Sequence, residues 1–95
     1  MPEAILTIRN PSGLHARPAA TFVKAAAAFS ADVQISNLTR DPERSASARS
    51  VIGVMGLGVS RGHEIRLRAE GPDADAAIAA LGELVRSGIG EQTEP

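Results

Sequence analysis

The sequence predicts an α+β domain, an antiparallel sheet covered on one side by helices in the order β-α-β-β-α-β-α. Three observations predict it. The apolar period switches repeatedly between two and 3.6 along the chain, three strands show one polar face each, and two full-length helices are amphipathic. A chain of 95 residues has room for two layers around one core, and little for a deep pocket or a separate cofactor domain.

Residues 4–9 alternate, with Ala4, Leu6 and Ile8 on one side and Ile5, Thr7 and Arg9 on the other, although Ile5 blurs the pattern. Asn10-Pro11-Ser12-Gly13 ends this strand as a turn. From Ala16 the spacing of Ala19, Phe22, Val23, Ala26 and Phe29 is helical. Asp32 to Leu38 alternates again, with Val33 and Ile35 inward. Thr39 to Arg44 reads as a polar loop punctuated by Asp41-Pro42, and Ser45-Ala46-Ser47 as a short edge strand. Val51 to Leu57 is apolar but interrupted by Gly53 and Gly56, which limits it to one or two helical turns. Arg61-Gly62 turns the chain into a strand with Ile65, Leu67 and Ala69 inward.

The last helix has the clearest signals. Ala74, Ala77, Ile78, Leu81, Leu84 and Val85 form one stripe, with Asp73 suited to the N-cap, Arg86 to the last turn and Gly88 to the stop. Residues 1–90 are read as the domain and residues 91–95 as a polar tail.

Composition excludes several classes of function. A formal net charge of -1 exerts no pull on nucleic acid or anionic membrane, and the two phenylalanines, with no Trp or Tyr, leave no stacking platform for a single strand. Without cysteine there is no disulfide or thiol chemistry, and His15 and His63 lack a liganding motif with flanking carboxylates. No segment reads as a signal peptide or spans a bilayer, so a cytoplasmic monomer without metal or cofactor is expected.

The chemistry concentrates in Ser12-Gly13-Leu14-His15-Ala16-Arg17-Pro18, where the first loop enters the first helix. With His15 at or next to the N-cap, the amides of Ala16 and Arg17 are first-turn donors without helical acceptors. Arg17 adds a fork for phosphate oxygens, and Pro18 costs little among amides that are unpaired anyway. Ala16, Ala19 and Ala20 keep the neighbouring surface low. A plain helix cap beside a solvated charge is the bland alternative for His15 and Arg17. The combination with Gly13 and Pro18 at a strand-to-helix junction favours a phosphate-handling site: His15 and Arg17 catalytic, with Ser12, Ala16 and Arg17 around the phosphate.

Gly13-Leu14-His15-Ala16-Arg17-Pro18-Ala19 resembles the active-site signature of HPr, the histidine-containing phosphocarrier family of the bacterial phosphotransferase system. The similarity continues through Phe22-Val23-Lys24, Ser45-Ala46-Ser47-Ala48-Arg49-Ser50, Gly53-Val54-Met55-Gly56-Leu57-Gly58 and Ala69-Glu70-Gly71, over residues 4–88. The resemblance implies an open-faced β-sandwich, four antiparallel strands under three helices. It also implies that Nδ1 of His15 takes a phosphoryl group from enzyme I, with phosphoenolpyruvate as ultimate donor, and passes it to sugar-specific enzyme IIA units, Arg17 assisting. The segment from Thr39 to Arg44 is longer than in most such carriers. With Asn37-Leu38-Thr39 it is similar to carrier domains of dihydroxyacetone phosphotransfer proteins, which leaves the acceptor open among sugar uptake, a dihydroxyacetone kinase and a nitrogen-linked chain.

Ser50 precedes the short helix and reads as its N-cap. In some relatives of the family the matching serine is phosphorylated by a dedicated kinase, so both the cap alone and a cap that is also a regulatory site stay open. Ala20, Val51, Ile52 and Met55 are the expected docking surface for partners, because a helix this short cannot bury all its apolar groups. His63 is expected to be an exposed turn residue.

Overall fold

Alternating and helical segments assemble in the expected order. The computed structural model describes residues 2–90, so the tail 91–95 lies outside the described residues. The elements are β1 (Glu3–Thr7), α1 (Ala16–Ala26), β2 (Asp32–Asn37), β3 (Asp41–Ser47), α2 (Val51–Gly56), β4 (Glu64–Glu70) and α3 (Ala74–Arg86). The strands form one antiparallel sheet in the order β1-β4-β2-β3.

Leu6, Val33, Ile35, Ile65, Leu67 and Ala69 fill the covered face of the sheet and pack against Ala19 and Phe22 of α1, Val54 of α2, and Ala77, Leu81 and Val85 of α3. Arg66, Arg68, Gln34 and Ser45 line the uncovered face. Ile5 blurs the pattern of β1 because it stands 57% exposed.

Three local expectations are corrected. The stretch read as a polar loop from Thr39 to Arg44 is mostly strand, since β3 begins at Asp41 and runs seven residues. Among the described residues it pairs only with β2, through Gln34↔Ser47, Ile35↔Ala46 and Ser36↔Ser45. The register then shifts so that Asn37 faces Asp41, leaving Pro42 to Arg44 as a bulge. An exposed edge strand tolerates the missing N–H of Pro42, so the polar composition marks an edge and not a loop. The first helix ends at Ala26, short of Phe29. Its exit tightens into bonds from Ala28 N–H to Ala25 and from Phe29 N–H to Ala26, three residues back, and Phe29 still packs against the core.

Asp73 stands at the N-cap of α3 but makes no capping bond. Its carboxylate instead accepts the N–H of Ser30 at 2.8 Å and of Ala31 at 2.7 Å. Those bonds, Ser30 foremost, hold its carboxyl below the usual value against a smaller opposing effect of desolvation, with help from the Ala31 N–H and the charge of Arg49. Arg49 donates to the carbonyls of Phe29 at 2.5 Å and Ala31 at 3.5 Å, so the turn between α1 and β2 is braced from two sides.

The stop at Gly88 is a complete Schellman motif. Ile89 N–H bonds Leu84 O at 3.0 Å, Gly88 N–H bonds Val85 O at 3.1 Å, and Ile89 is buried.

Candidate functional site

The loop before α1 is built from its backbone outward. Asn10 is buried, and its side-chain amide donates to the carbonyl of Gly13 at 2.8 Å. Gly13 has φ 60°, and a Cβ there would lie 2.3 Å from the carbonyl oxygen of Val59 and 2.8 Å from Cα of Ser60. Both the left-handed backbone and the missing space therefore demand glycine. Leu14 is fully buried, and its N–H bonds Val59 O at 3.0 Å. The next residue, His15, is exposed.

His15 is the N-cap of α1, with extended backbone at φ -115° and ψ 153° and no capping bond from its side chain. The ring is thus left unengaged by the helix it begins. Ala16 follows at φ 46°, a left-handed conformation that costs an L-residue about 1–2 kcal/mol. Such strain persists where the surroundings over-determine it. Here the seated Gly13-Leu14 pair lies on one side, and buried Pro18 and Ala19 on the other. Sequence reasoning missed this feature and treated Ala16 as an ordinary first-turn residue. The only signal for it is that alanine carries the smallest side chain after glycine.

Ser12, His15, Ala16 and Arg17 are all exposed on this one turn. Ala20 is exposed four residues beyond Ala16, on the same face of α1. The α1 and α2 helices pack together, so both belong to the layer that covers the sheet. On α2, Val54 is buried, whereas Val51 is 36%, Ile52 85% and Met55 38% exposed. These are the exposed large apolar side chains of that layer. Ser50 caps α2, its Oγ accepting the Gly53 N–H at 3.0 Å, and is itself exposed.

The expectation for His63 is corrected. It is half-buried, and its Nδ1 lies 3.1 Å from both the N–H of Ser60 and Nδ2 of Asn37, because the turn before β4 folds the ring back over the loop. Among the described residues no cluster of three or more His, Asp or Glu could hold a metal ion, and no helix is long and apolar enough to cross a membrane.

The sequence profile described as "PTS HPr component phosphorylation site" matches residues 2–87. The chain belongs to the HPr family. It is 43% identical over 83 residues to phosphocarrier protein HPr of Haloferax volcanii, covering 87% of this chain and 91% of that one. It is also 46% identical over 85 residues to a multiphosphoryl transfer protein of Haemophilus influenzae, covering 90% of this chain but 17% of that protein. The chain spans about a fifth of such multiphosphoryl transfer relatives. The crystal structure of HPr-C-His from Thermoanaerobacter tengcongensis superposes with a TM-score of 0.88 at 42% identity, covering 97% of this chain and 99% of that one. The open-faced sandwich of four strands and three helices is the HPr fold.

Proposed function

We propose that Nδ1 of His15 accepts a phosphoryl group from phosphorylated enzyme I, with phosphoenolpyruvate as ultimate donor, and passes it to enzyme IIA-type acceptors in sugar uptake. One observation carries this: an exposed imidazole that caps nothing, set at the start of α1 two residues before an exposed arginine. A P–N bond forms to Nδ1 as the bond from phosphorus to the donor breaks, and delivery reverses the exchange. The protein's part is positioning and charge stabilisation, for which first-turn amides and the Arg17 fork are suited. No cofactor enters, and the chain acts with partner proteins and not as a free-standing enzyme. Ser12 and Ala16 complete the phosphate surroundings, while Ala20, Val51, Ile52 and Met55 form the docking surface. We place the protein in the cytoplasm, where phosphoenolpyruvate is made, as a monomer that leaves the α1–α2 face open.

A second reading keeps the chemistry and changes the acceptor to a dihydroxyacetone kinase or a nitrogen-linked chain. The extended 39–44 segment and the Asn37-Leu38-Thr39 sequence favour it. Incubation with enzyme I and labelled phosphoenolpyruvate, followed by a panel of acceptors, separates the two. The first reading expects one acid-labile, base-stable label that an enzyme IIA discharges. Discharge only to a dihydroxyacetone kinase or a nitrogen-linked acceptor selects the second, and no label at all contradicts both.

A further inference from the structure

His63 opens onto β4 and its ring is engaged through Nδ1. The backbone N–H of Ser60 donates to Nδ1 at 3.1 Å, and Asn37 Nδ2 lies 3.1 Å from the same atom. The orientation of Asn37 follows from its other bonds. Its Oδ1 accepts the N–H of Thr39 at 3.1 Å and of Arg40 at 3.2 Å, and its Nδ2 donates to Leu57 O at 3.2 Å. Both neighbours of Nδ1 are therefore N–H donors, so Nδ1 is the acceptor and the ring hydrogen of the neutral form sits on Nε2. One nitrogen ties together the end of β2, the loop at 57–60 and the start of β4. The N–H of His63 bonds Ser60 O at 3.0 Å and closes the turn between them.

The same loop seats the residues in front of His15. Val59 O receives the Leu14 N–H, and Val59 and Ser60 fill the space where Gly13 would carry a Cβ. Leu14 is fully buried, so a shift of the loop moves the backbone that bears His15. We propose that His63, held through Nδ1 by Ser60 and Asn37, is a positioning residue for phosphoryl transfer at His15. The inference rests on the proposed role of His15 and adds to it a residue that acts through Val59 and Leu14, not on the phosphoryl group itself. A side chain without an acceptor at this point leaves two N–H donors facing it unmet, and the loop relaxes to satisfy them.

The experiment compares His63→Asn, whose Oδ1 replaces the Nδ1 acceptor, with His63→Leu and His63→Ala, which have none. Two quantities are read: hydrogen exchange of the Leu14 amide, and kcat and KM for the chain as substrate of enzyme I. Loss of the acceptor is expected to speed Leu14 exchange about tenfold and lower kcat about tenfold, the scale of one ordinary hydrogen bond, with KM within about twofold. His63→Asn is expected to stay within about twofold of wild type in both. Should His63→Leu fail to fold, His63→Ala carries the comparison. Wild-type exchange at Leu14 in a folded acceptor-free variant overturns the proposal, as does an unchanged kcat, or a His63→Asn variant as impaired as the others. Absence of label on the wild-type protein would fail the phosphocarrier role instead, and Leu14 exchange would still decide whether His63 holds the loop.

Discussion

At the scale of single residues, the candidate site is an imidazole that makes no bond to the helix it begins. His15 takes the N-cap position without capping, and Ala16 accepts a left-handed backbone immediately after it. Below them, Gly13 and Leu14 are fixed to the loop at 57–60 by a bond and by close contact. The small-residue signal at Gly13 is readable in the sequence because a turn cluster precedes a helix there. The left-handed backbone at Ala16 is barely readable, because alanine is at home in any first turn and its small side chain is the one sign it leaves. Arg17 lies exposed on the first turn and is absent from the core. Replacing it with alanine is therefore expected to leave the melting temperature unchanged while slowing transfer by a factor on the order of 10², the scale of losing one preorganised charge stabiliser. Stopped-flow transfer rates within about twofold of wild type would make Arg17 a plain surface charge.

At the scale of elements, the short helix α2 divides its apolar residues between two tasks. Val54 goes to the core, and Ile52 and Met55 face outward. Met55→Glu is expected to weaken enzyme I binding with little change in melting temperature, since charge is depleted from the centres of protein interfaces. Titration calorimetry and a thermal melt check the two halves, and an unfolded variant would assign Met55 to the core. Ser50 already accepts the Gly53 N–H, so a negative group there meets the favourable end of α2 but sits beside the exposed apolar residues. Ser50→Asp is expected to melt no lower than wild type and to be labelled more slowly at His15, the difference shrinking as salt rises. Equal labelling rates at low and moderate salt would leave Ser50 a cap alone. The brace at Asp73 makes a prediction in pH. Its carboxyl is held below the ordinary value, so the ionised form stabilises the fold: that contribution is present above about pH 3.9 and is lost as pH falls through the lower folded value. Asp73→Ala is expected to melt below wild type at neutral pH, with the gap closing in acid. A gap that persists unchanged at low pH would show that the carboxylate bonds to Ser30 and Ala31 do not stabilise the turn. The sequence placed Asp73 correctly at the start of α3 but assigned its side chain to the wrong partner, because a contact 43 residues away leaves no local trace.

At the scale of the whole molecule, the element order is legible because three of the four strands have one polar face and each long helix one apolar stripe. The illegible parts share a cause. The bulged edge strand at Asp41 to Ser47 is polar throughout its exposed half, and an edge buries too little to impose alternation. His63 looked like a turn residue because its partners, Ser60 and Asn37, are brought together only by the sheet. The covered face gathers the residues of the proposed function in one helical layer, and among the described residues no helix lies on the opposite face of the sheet. The central claim is that His15 alone carries the phosphoryl group, and it is tested most directly by mapping the label. Wild type, His15→Ala and His63→Asn are each incubated with enzyme I and labelled phosphoenolpyruvate, and the modified residue is located by mass spectrometry under alkaline conditions. One phosphoryl group on His15 in wild type and His63→Asn, and none in His15→Ala, is the predicted result; undiminished labelling of His15→Ala, or label on His63, would contradict it.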